Sequence, residues 1–333
     1  MRSMRAGRRM PNRQNPRIKM TYRECYEQGC RTLQAAGIEE ATLDARLLLE
    51  AVCGTNRNDL LVHGEQLVEP EAEEKYLNWI RQRAEHIPLQ QLTGEQDFMG
   101  LTFSVNEHVL IPRQDTEILV EEVLRKLHDG MRILDMCTGS GCILLSLLHY
   151  SNDCEGLGVD LSAEALQVAE QNAQRILGEN FSENQDCGVK TFETESDDAE
   201  TAINTAGNET AGRVRFLQSD LFEKVEGKFE IIVSNPPYIA SAEVDKLMPE
   251  VRDHEPRMAL DGTEDGLEFY RRIIAEAGQY LVSSGMLFFE IGYDQGQAVS
   301  ELMRKHGYRE VQVVQDYAGL DRVVYGTYVE RKN

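Results

Sequence analysis

The sequence predicts an α/β fold in which a doubly wound parallel sheet follows a smaller helical domain. Helical periodicity runs through residues 20–95, where Leu43, Leu47 and Leu48 fall on one face. From residue 113 onward, short apolar runs alternate with helical segments, which is the rhythm of βαβ units. At 333 residues the chain is long enough to fold into both domains.

The elements can be assigned in order along the chain. Residues 1–19 contain no apolar segment and end just before Met20, so we expect a disordered extension there, although their arginine content also permits an organelle transit peptide. Residues 96–112 alternate partly and predict a hairpin or connector. The domain at 113–333 should contain strands at 132–136, 156–160, 214–218, 230–234, 286–291, 310–315 and 322–329. Only a short loop joins the last two strands, so we expect them to be antiparallel.

An acidic segment interrupts this alternation of strands and helices. Residues 179–212 are rich in Asn, Thr and Ser and show no apolar period, so we predict a disordered insertion within the larger domain. A solvated linker is the preferred interpretation, and a segment that binds a partner is the alternative.

Charge and cysteine usage restrict the possible functions. The chain has 57 acidic and 35 basic residues, a formal net charge of −22, which opposes nonspecific binding to a phosphate backbone. The seven cysteines include no C-x-x-C pair, and the seven histidines show no ligand spacing, so we expect neither a disulfide framework nor a metal site. No apolar run approaches the roughly 18 residues of a membrane span. We therefore expect a cytoplasmic protein.

The most informative segment is Asn235-Pro236-Pro237-Tyr238, called the 235–238 segment below, which follows the fourth predicted strand. Ligands of open α/β sheets bind outside the carboxyl ends of the strands, so its position fits a binding site. The prolines fix φ and leave their carbonyls free to accept. Asn235 Oδ1 and the Pro236 carbonyl could take both hydrogens of an amide or amino group while the Tyr238 ring packs on its flat face. A plain strand exit with two turn-forming prolines is the alternative.

A second group of candidate residues follows the first three strands. Cys137-Thr138-Gly139-Ser140-Gly141 joins the first strand to a helix predicted from Ser140, with glycines where backbone can approach a ligand. Asp160 ends the second strand at a spacing that suits a carboxylate for ribose hydroxyls, and Asp220 with Leu221 follows the third. Leu144 replaces the third glycine of G-x-G-x-x-G, so the nicotinamide fingerprint is incomplete. Each feature also has a structural interpretation, as a tight turn, a helix N-cap or a loop acid.

Together these four elements resemble a class I S-adenosylmethionine methyltransferase with a seven-stranded Rossmann-like domain. The resemblance implies that residues 137–141 contact the methionine part of S-adenosyl-L-methionine. It further implies that Asp160 binds the ribose, that Asp220 with Leu221 binds the adenine, and that Asn235 lies beside the cofactor as well as the substrate.

Two further motifs narrow the resemblance. Ile111-Pro112-Arg113-Gln114-Asp115-Thr116-Glu117 and the stretch from Glu255 to Leu267, with the 235–238 segment, look like the protein-(glutamine-N5) methyltransferases that modify class I peptide chain release factors, the PrmC/HemK family. The resemblance implies that residues 20–95 recognise this protein substrate. The target would be the glutamine of its Gly-Gly-Gln loop, with Asn235, Pro236 and Tyr238 as the catalytic residues. We expect a monomer that binds neither nucleic acid nor membrane.

The match has three departures and leaves two other functions open. Gln114 and Cys137 replace an expected proline and glycine, and Leu221 stands where a larger ring occurs, which puts cofactor affinity in question. One alternative is a DNA adenine-N6 methyltransferase, since adenine also carries a planar amino group. The other is a non-catalytic scaffold that binds the cofactor. No general base is assigned, although His254 is close in sequence, and Arg113 could pair with Glu117 at helical spacing.

Overall fold

A computed structural model of the protein describes residues 19–178 and 212–329. The chain divides into two compact units, Met1–Leu89 and Gln90–Asn333. The predicted disordered extension and acidic insertion fall almost wholly outside the described ranges. Within those ranges, no helix combines the length and the apolar character that crossing a membrane requires.

The first unit is helical, and its helices begin where the sequence supplies caps. Its elements are α1 (Tyr22–Ala35), α2 (Ala41–Cys53), α3 (Arg57–Val62) and α4 (Pro70–Ala84). Thr21 and Glu24 form a capping box ahead of α1, in which each side chain accepts the backbone N–H of the other. The buried Tyr76 of α4 donates to the carbonyl of Ala45, 3.2 Å away. These contacts fix the helices relative to one another.

The second unit contains the sheet. A short helix, α5 (Leu89–Thr93), precedes a hairpin of β1 (Glu95–Phe98) and β2 (Leu101–Ser104). The remaining elements are α6 (Gln114–Leu124), β3 (Arg132–Met136), α7 (Cys142–His149), β4 (Glu155–Asp160), α8 (Ala163–Leu177), β5 (Val214–Gln218), β6 (Phe229–Ser234), α9 (Ser241–Val244), α10 (Pro249–His254), α11 (Arg257–Leu260), α12 (Glu268–Ala277), β7 (Leu281–Glu290), α13 (Gly296–Lys305), β8 (Tyr308–Gln315) and β9 (Asp321–Tyr328).

Seven strands of the described residues form one sheet in the order β5-β4-β3-β6-β7-β9-β8. Strands β3 to β7 pair in parallel, and β9 is antiparallel to both β7 and β8. The predicted doubly wound α/β fold is therefore confirmed, including the antiparallel pair at its end.

Apolar residues cover both faces of the sheet. Ile231 and Val233 of β6 face a core formed with α6, α7 and α8, whereas Ile232 faces a second core formed with α12 and α13. Phe288 and Phe289 of β7 divide between the two cores in the same way. Full burial of each such side chain contributes roughly 1.5–3 kcal/mol. Helix layers on both faces explain why these strands are continuously apolar rather than alternating.

The strand order reverses between β3 and β6, and this point positions the candidate site. Met136 pairs with Ser234 at the carboxyl ends of the two strands, and the Ser234 hydroxyl donates to the carbonyl of Met136 at 2.6 Å. The next residues, Cys137 and Asn235, therefore begin two loops side by side. Such a reversal opens the crevice in which doubly wound folds bind ligands.

Several element boundaries differ from the sequence prediction, and two of these differences have a clear structural cause. Helix α7 begins at Cys142 rather than Ser140, because Gly139 and Gly141 take left-handed φ values of 55° and 78° that no helix accommodates. Strand β7 begins at Leu281, five residues before the predicted start at 286. The segment Val282–Gly285 contains two serines and a glycine, so the sequence pattern does not indicate a strand there. A register shift in the pairing of β7 with β6 accommodates these residues.

Asn172 of α8 supplies a testable link between the β1–β2 hairpin and the loop after β3. Its buried side chain donates to the carbonyls of Ser104 and Ser140 and accepts the N–H of Ser104, at 2.7–3.0 Å. Asn172→Ala leaves all three groups unpaired, so we expect the free energy of unfolding to fall by about 2–3 kcal/mol. Chemical denaturation measures this. The exposed neighbour Gln171 is the control, and equal losses for Asn172→Ala and Gln171→Ala would contradict the assignment.

Candidate active site

A cavity of about 310 Å³ opens at the carboxyl ends of the parallel strands. Its size lies within the roughly 300–1,000 Å³ typical of ligand pockets. Most of the residues predicted from sequence line it together: Cys137, Thr138, Gly139, Ser140, Asp160, Asp220, Leu221, Asn235 and Pro237. Three other predicted residues, Gly141, Pro236 and Tyr238, are not among the described residues that line this cavity.

The loop after β3 is held in a conformation that exposes its backbone. Cys137 has a φ of 64°, in the left-handed region that favours glycine, which explains why glycine is expected there. The N–H of Gly139 donates to Asp160 Oδ2 at 2.9 Å. Thr138 Oγ1 donates to Asp135 Oδ2 at 2.6 Å beneath the loop. A β-carbon at Gly139 would meet nothing within 4 Å, so the loop leaves open space there for a ligand.

Burial shapes the ionisation of the acids around this loop. Burial raises the pKa of Asp160, partly offset by the N–H groups of Ser162 and Gly139, which stabilise the carboxylate. Burial raises the pKa of Asp135 to about 7, and its Oδ1 has no hydrogen-bond partner among the described residues. Burial also raises the pKa of the Cys137 thiol, with Asp160 and Asp135 adding to the effect. Cys137 therefore stays protonated and is not a thiolate nucleophile.

The loop after β5 supplies the other end of the cavity. Asp220 pairs with Arg272 of α12, with 2.8 Å between Oδ1 and Nη2. Leu221, which is buried, has a φ of 48° and contributes apolar lining. With Asp160 at the end of β4, the cavity thus combines two carboxylates, an open glycine loop and apolar walls. This combination of acceptors and apolar surface fits a ligand that has hydroxyl groups and a flat ring.

The 235–238 segment contains the two predicted acceptors, whose role stays a prediction. Asn235 Nδ2 donates to Thr116 Oγ1 at 3.5 Å. No hydrogen bond among the described residues uses Asn235 Oδ1 or the carbonyl of Pro236. The Tyr238 hydroxyl lies 3.4 Å from Glu290 Oε1, and burial and this carboxylate raise its pKa. Tyr238 packing on a bound amide stays a prediction.

Two glycines and a glutamine hold the backbone of this segment from behind. A β-carbon at Gly262 would lie 2.8 Å from the Pro237 carbonyl oxygen and Tyr238 Cα, and one at Gly266 would lie 2.3 Å from the Tyr238 carbonyl oxygen. Gln295 Nε2 donates to that same carbonyl at 3.0 Å. The glycine-containing motif that follows Glu255 therefore has a structural reason: the 235–238 backbone packs directly on it.

Several residues of the site could not be assigned from sequence reasoning. Thr116, Met258, Asp261 and Phe269 line the cavity from motifs or helices whose role was open. Arg113 pairs with the buried Glu255, which also accepts the N–H of Ile111, and not with Glu117 as helical spacing allowed.

Glu290 was also missed. It ends an apolar strand, and its only sequence signal was a lone carboxylate at the carboxyl end of that strand. His254 does not line the cavity. No group of three or more potential metal ligands occurs in the described parts of the chain.

Comparison with known proteins gives matches along most of the chain. Residues 24–94 match the family model of the PrmC N-terminal domain, and residues 127–188 match a methyltransferase domain. The release factor glutamine methyltransferase of Moorella thermoacetica is 41% identical over 91% of this chain and 97% of its own length. The protein of the same name from Agrobacterium fabrum is 38% identical, over 88% and 92% of the two chains. That from Geobacter sulfurreducens is 36% identical over the same shares.

The close packing at Gly262 can be tested without reference to activity. Gly262→Ala forces backbone atoms of the 235–238 segment to move, because neither the Pro237 carbonyl nor Tyr238 Cα can rotate away. We expect a loss of about 1–3 kcal/mol in the free energy of unfolding, typical of overpacking. Gly64→Ala is the control, since its nearest neighbours lie 3.4 Å away. Equal stability of the two variants in thermal or chemical denaturation would refute the contact.

Proposed function

The chain belongs to the release factor glutamine methyltransferase family, and from this premise we propose that it methylates the side-chain amide nitrogen of a glutamine in a release factor. It is a methyltransferase that uses S-adenosyl-L-methionine. The observation that supports the glutamine assignment is the pair of unused acceptors, Asn235 Oδ1 and the Pro236 carbonyl, beside the cofactor loop. We further propose that the target is the Gly-Gly-Gln glutamine of class I release factors.

The cavity described above suits this cofactor. Bound there, S-adenosyl-L-methionine would supply an activated methyl group on its sulfonium sulfur. The open loop at residues 137–141 would hold its methionine part, Asp160 its ribose hydroxyls, and Asp220 with Leu221 its adenine. The left-handed φ of Cys137 keeps the loop in the required conformation although a glycine is absent. These roles are assigned by position, since all of these residues except Gly141 line one cavity.

Orientation of the substrate amide is the main task left to the protein. An amide nitrogen is a weak nucleophile because its lone pair is delocalised into the carbonyl. Asn235 Oδ1 and the Pro236 carbonyl would each accept one N–H of the glutamine side chain and aim its nitrogen into the cavity. Fixed geometry of this kind can supply roughly 7–11 kcal/mol at best. Proton loss after methylation is easy, so no general base is assigned.

The remaining expectations follow from the substrate. We propose that the protein acts as a monomer. The net charge of −22 opposes contact with nucleic acid, and this argues against the DNA adenine alternative. Residues 20–95 match the PrmC N-terminal domain over 24–94, and we propose that they recognise the release factor. We propose a cytoplasmic localisation, because the proposed substrate acts in translation.

The reaction is tested by incubating the purified protein with S-adenosyl-L-methionine and an unmodified release factor. Peptide mass spectrometry should find one added methyl group, about 14 Da, on the glutamine of the Gly-Gly-Gln loop. DNA serves as the parallel acceptor in a second tube. Methylated adenine with an unmodified release factor would move the role of the 235–238 segment to a base amine. If neither product forms although calorimetry detects cofactor binding, the scaffold alternative is supported.

Asn235→Ala tests the acceptor assignment. The substitution deletes one of two acceptors for the substrate amide, so we expect kcat to fall by roughly 10²-fold or more, while the Kd for the cofactor changes little. Initial rates and calorimetry measure the two quantities. Asn152→Ala, at an exposed asparagine, is the control. A cofactor Kd that rises in step with the loss of rate would assign Asn235 to cofactor binding alone.

A further inference from the structure

A buried carboxylate that the proposed mechanism does not use lies behind the 235–238 segment. Glu290 is the last residue of β7, the strand that pairs with β6, and it is 2% exposed. Its Oε1 lies 3.4 Å from the Tyr238 hydroxyl, whereas Oε2 has no hydrogen-bond partner among the described residues. An unpartnered carboxylate oxygen in a buried site is unfavourable, so its retention there calls for a role.

Thr116 lies between this carboxylate and Asn235. It is a buried residue in the first turn of α6 and is 2% exposed. Its oxygen accepts Asn235 Nδ2 at 3.5 Å, and its hydroxyl acts on Glu290 through a side-chain hydrogen bond that lowers the pKa of that carboxyl. The three side chains thus come from three separate elements and form one row that ends at the cavity.

The chemistry of these three side chains determines which group donates in each hydrogen bond between them. A carboxylate can only accept hydrogen bonds, so in the hydrogen bond between these two groups the Thr116 hydroxyl is the donor. Its lone pairs are then left for Asn235, and only Nδ2 can donate to them. Asn235 Oδ1 must consequently face the cavity. With an uncharged, protonated partner the Thr116 hydroxyl could instead donate to Oδ1, and the amide would turn its NH₂ toward the cavity.

We propose that Glu290 and Thr116 are positioning residues that orient the Asn235 side chain, so that its oxygen rather than its NH₂ group meets the substrate amide. This inference rests on the proposed role of Asn235 as an acceptor. If the Asn235 amide were reversed, its NH₂ group would face the N–H groups of the substrate glutamine, and productive binding would be lost. Neither Glu290 nor Thr116 needs to touch the substrate.

Charged and titratable groups from five neighbouring segments interact electrostatically with Glu290. They are Asp115 of α6, Cys142 of α7, Tyr238 after β6, Tyr270 of α12 and Arg322 of β9. Burial raises the pKa of Glu290 to about 7, against the lowering effects of Thr116 and Arg322. Glu290 is therefore ionised above about pH 7 and protonated below it. Only ionised Glu290 keeps Asn235 Oδ1 directed toward the cavity. We therefore expect kcat to rise as the pH increases through about 7.

The test compares Thr116→Val, which keeps the side-chain shape and removes the hydroxyl, with Thr116→Ser, which keeps the hydroxyl. Steady-state rates with the release factor, cofactor Kd by calorimetry and thermal midpoints are measured for both. We expect Thr116→Val to lower kcat about 3- to 10-fold with cofactor Kd unchanged, because one orienting hydrogen bond is lost. Thr116→Ser should stay within about twofold of the natural enzyme.

The pH profile separates orientation from simple packing. The step in kcat near pH 7 should persist in Thr116→Ser and vanish in Thr116→Val, whose rate is low throughout. Asp135 also has a pKa of about 7, but it is intact in both variants, so their difference isolates Glu290. Glu290→Gln, which removes the charge with little change of shape, should likewise lose the step. It gives the same readout should Thr116→Val fail to fold.

Each outcome decides one question. Unchanged kcat in Thr116→Val, equal losses in Thr116→Val and Thr116→Ser, or a loss that follows cofactor Kd would overturn the positioning role. Asn235→Ala, assayed in parallel, reports separately on the proposed function. A defective Asn235→Ala with a normal Thr116→Val defeats only the inference, and an active Asn235→Ala defeats the acceptor assignment itself.

Discussion

The parallel pairing of β3 with β6 is the constraint on which the site depends. Its register places Met136 opposite Ser234, and the Ser234 hydroxyl ties the two strand ends together through the Met136 carbonyl. Because the strand order reverses there, the connections diverge to opposite sides and leave a crevice. The cofactor loop and the 235–238 segment start one residue beyond this pair. A slip of one residue would invert the faces of β6 and separate Cys137 from Asn235.

Buried carboxylates behind the loops are the second common feature. Asp135 and Glu290 lie at or next to the carboxyl ends of β3 and β7, each has one oxygen without a partner among the described residues, and burial raises the pKa of each to about 7. Both are unfavourable to stability while ionised, since a charge in a low-dielectric interior is poorly solvated. Asp135 receives the Thr138 hydroxyl under one loop, and Glu290 stands behind the other. Stability is given up at the positions where loop geometry matters most.

Local sequence patterns predict the fold and the loops well, but not the contacts between distant motifs. Apolar runs locate the strands, because strands covered on both faces are continuously apolar, and the loops follow from the strand ends. Arg113 shows where this reasoning stops. It precedes α6 with an extended backbone, φ −102° and ψ 147°, so helical spacing to Glu117 does not apply, and its partner Glu255 is 142 residues away. Likewise, no local signal pairs Asn235 with Thr116 across 119 residues. The missed part of the site consists of such long-range pairs.

The backbone of the 235–238 segment is rigid, so the Asn235 side chain is the acceptor whose orientation can vary. The prolines fix two φ angles, Gly262 and Gly266 admit no displacement toward them, and Gln295 holds the Tyr238 carbonyl. With the Pro236 carbonyl fixed by the backbone, the amide of Asn235 is the one acceptor whose direction can change, by rotation about its last bond. Oxygen and nitrogen have nearly the same shape there, so packing cannot choose between them. Only the direction of the neighbouring hydrogen bonds can do so, and this is the role we propose for the buried Glu290 and for Thr116 in the cavity wall.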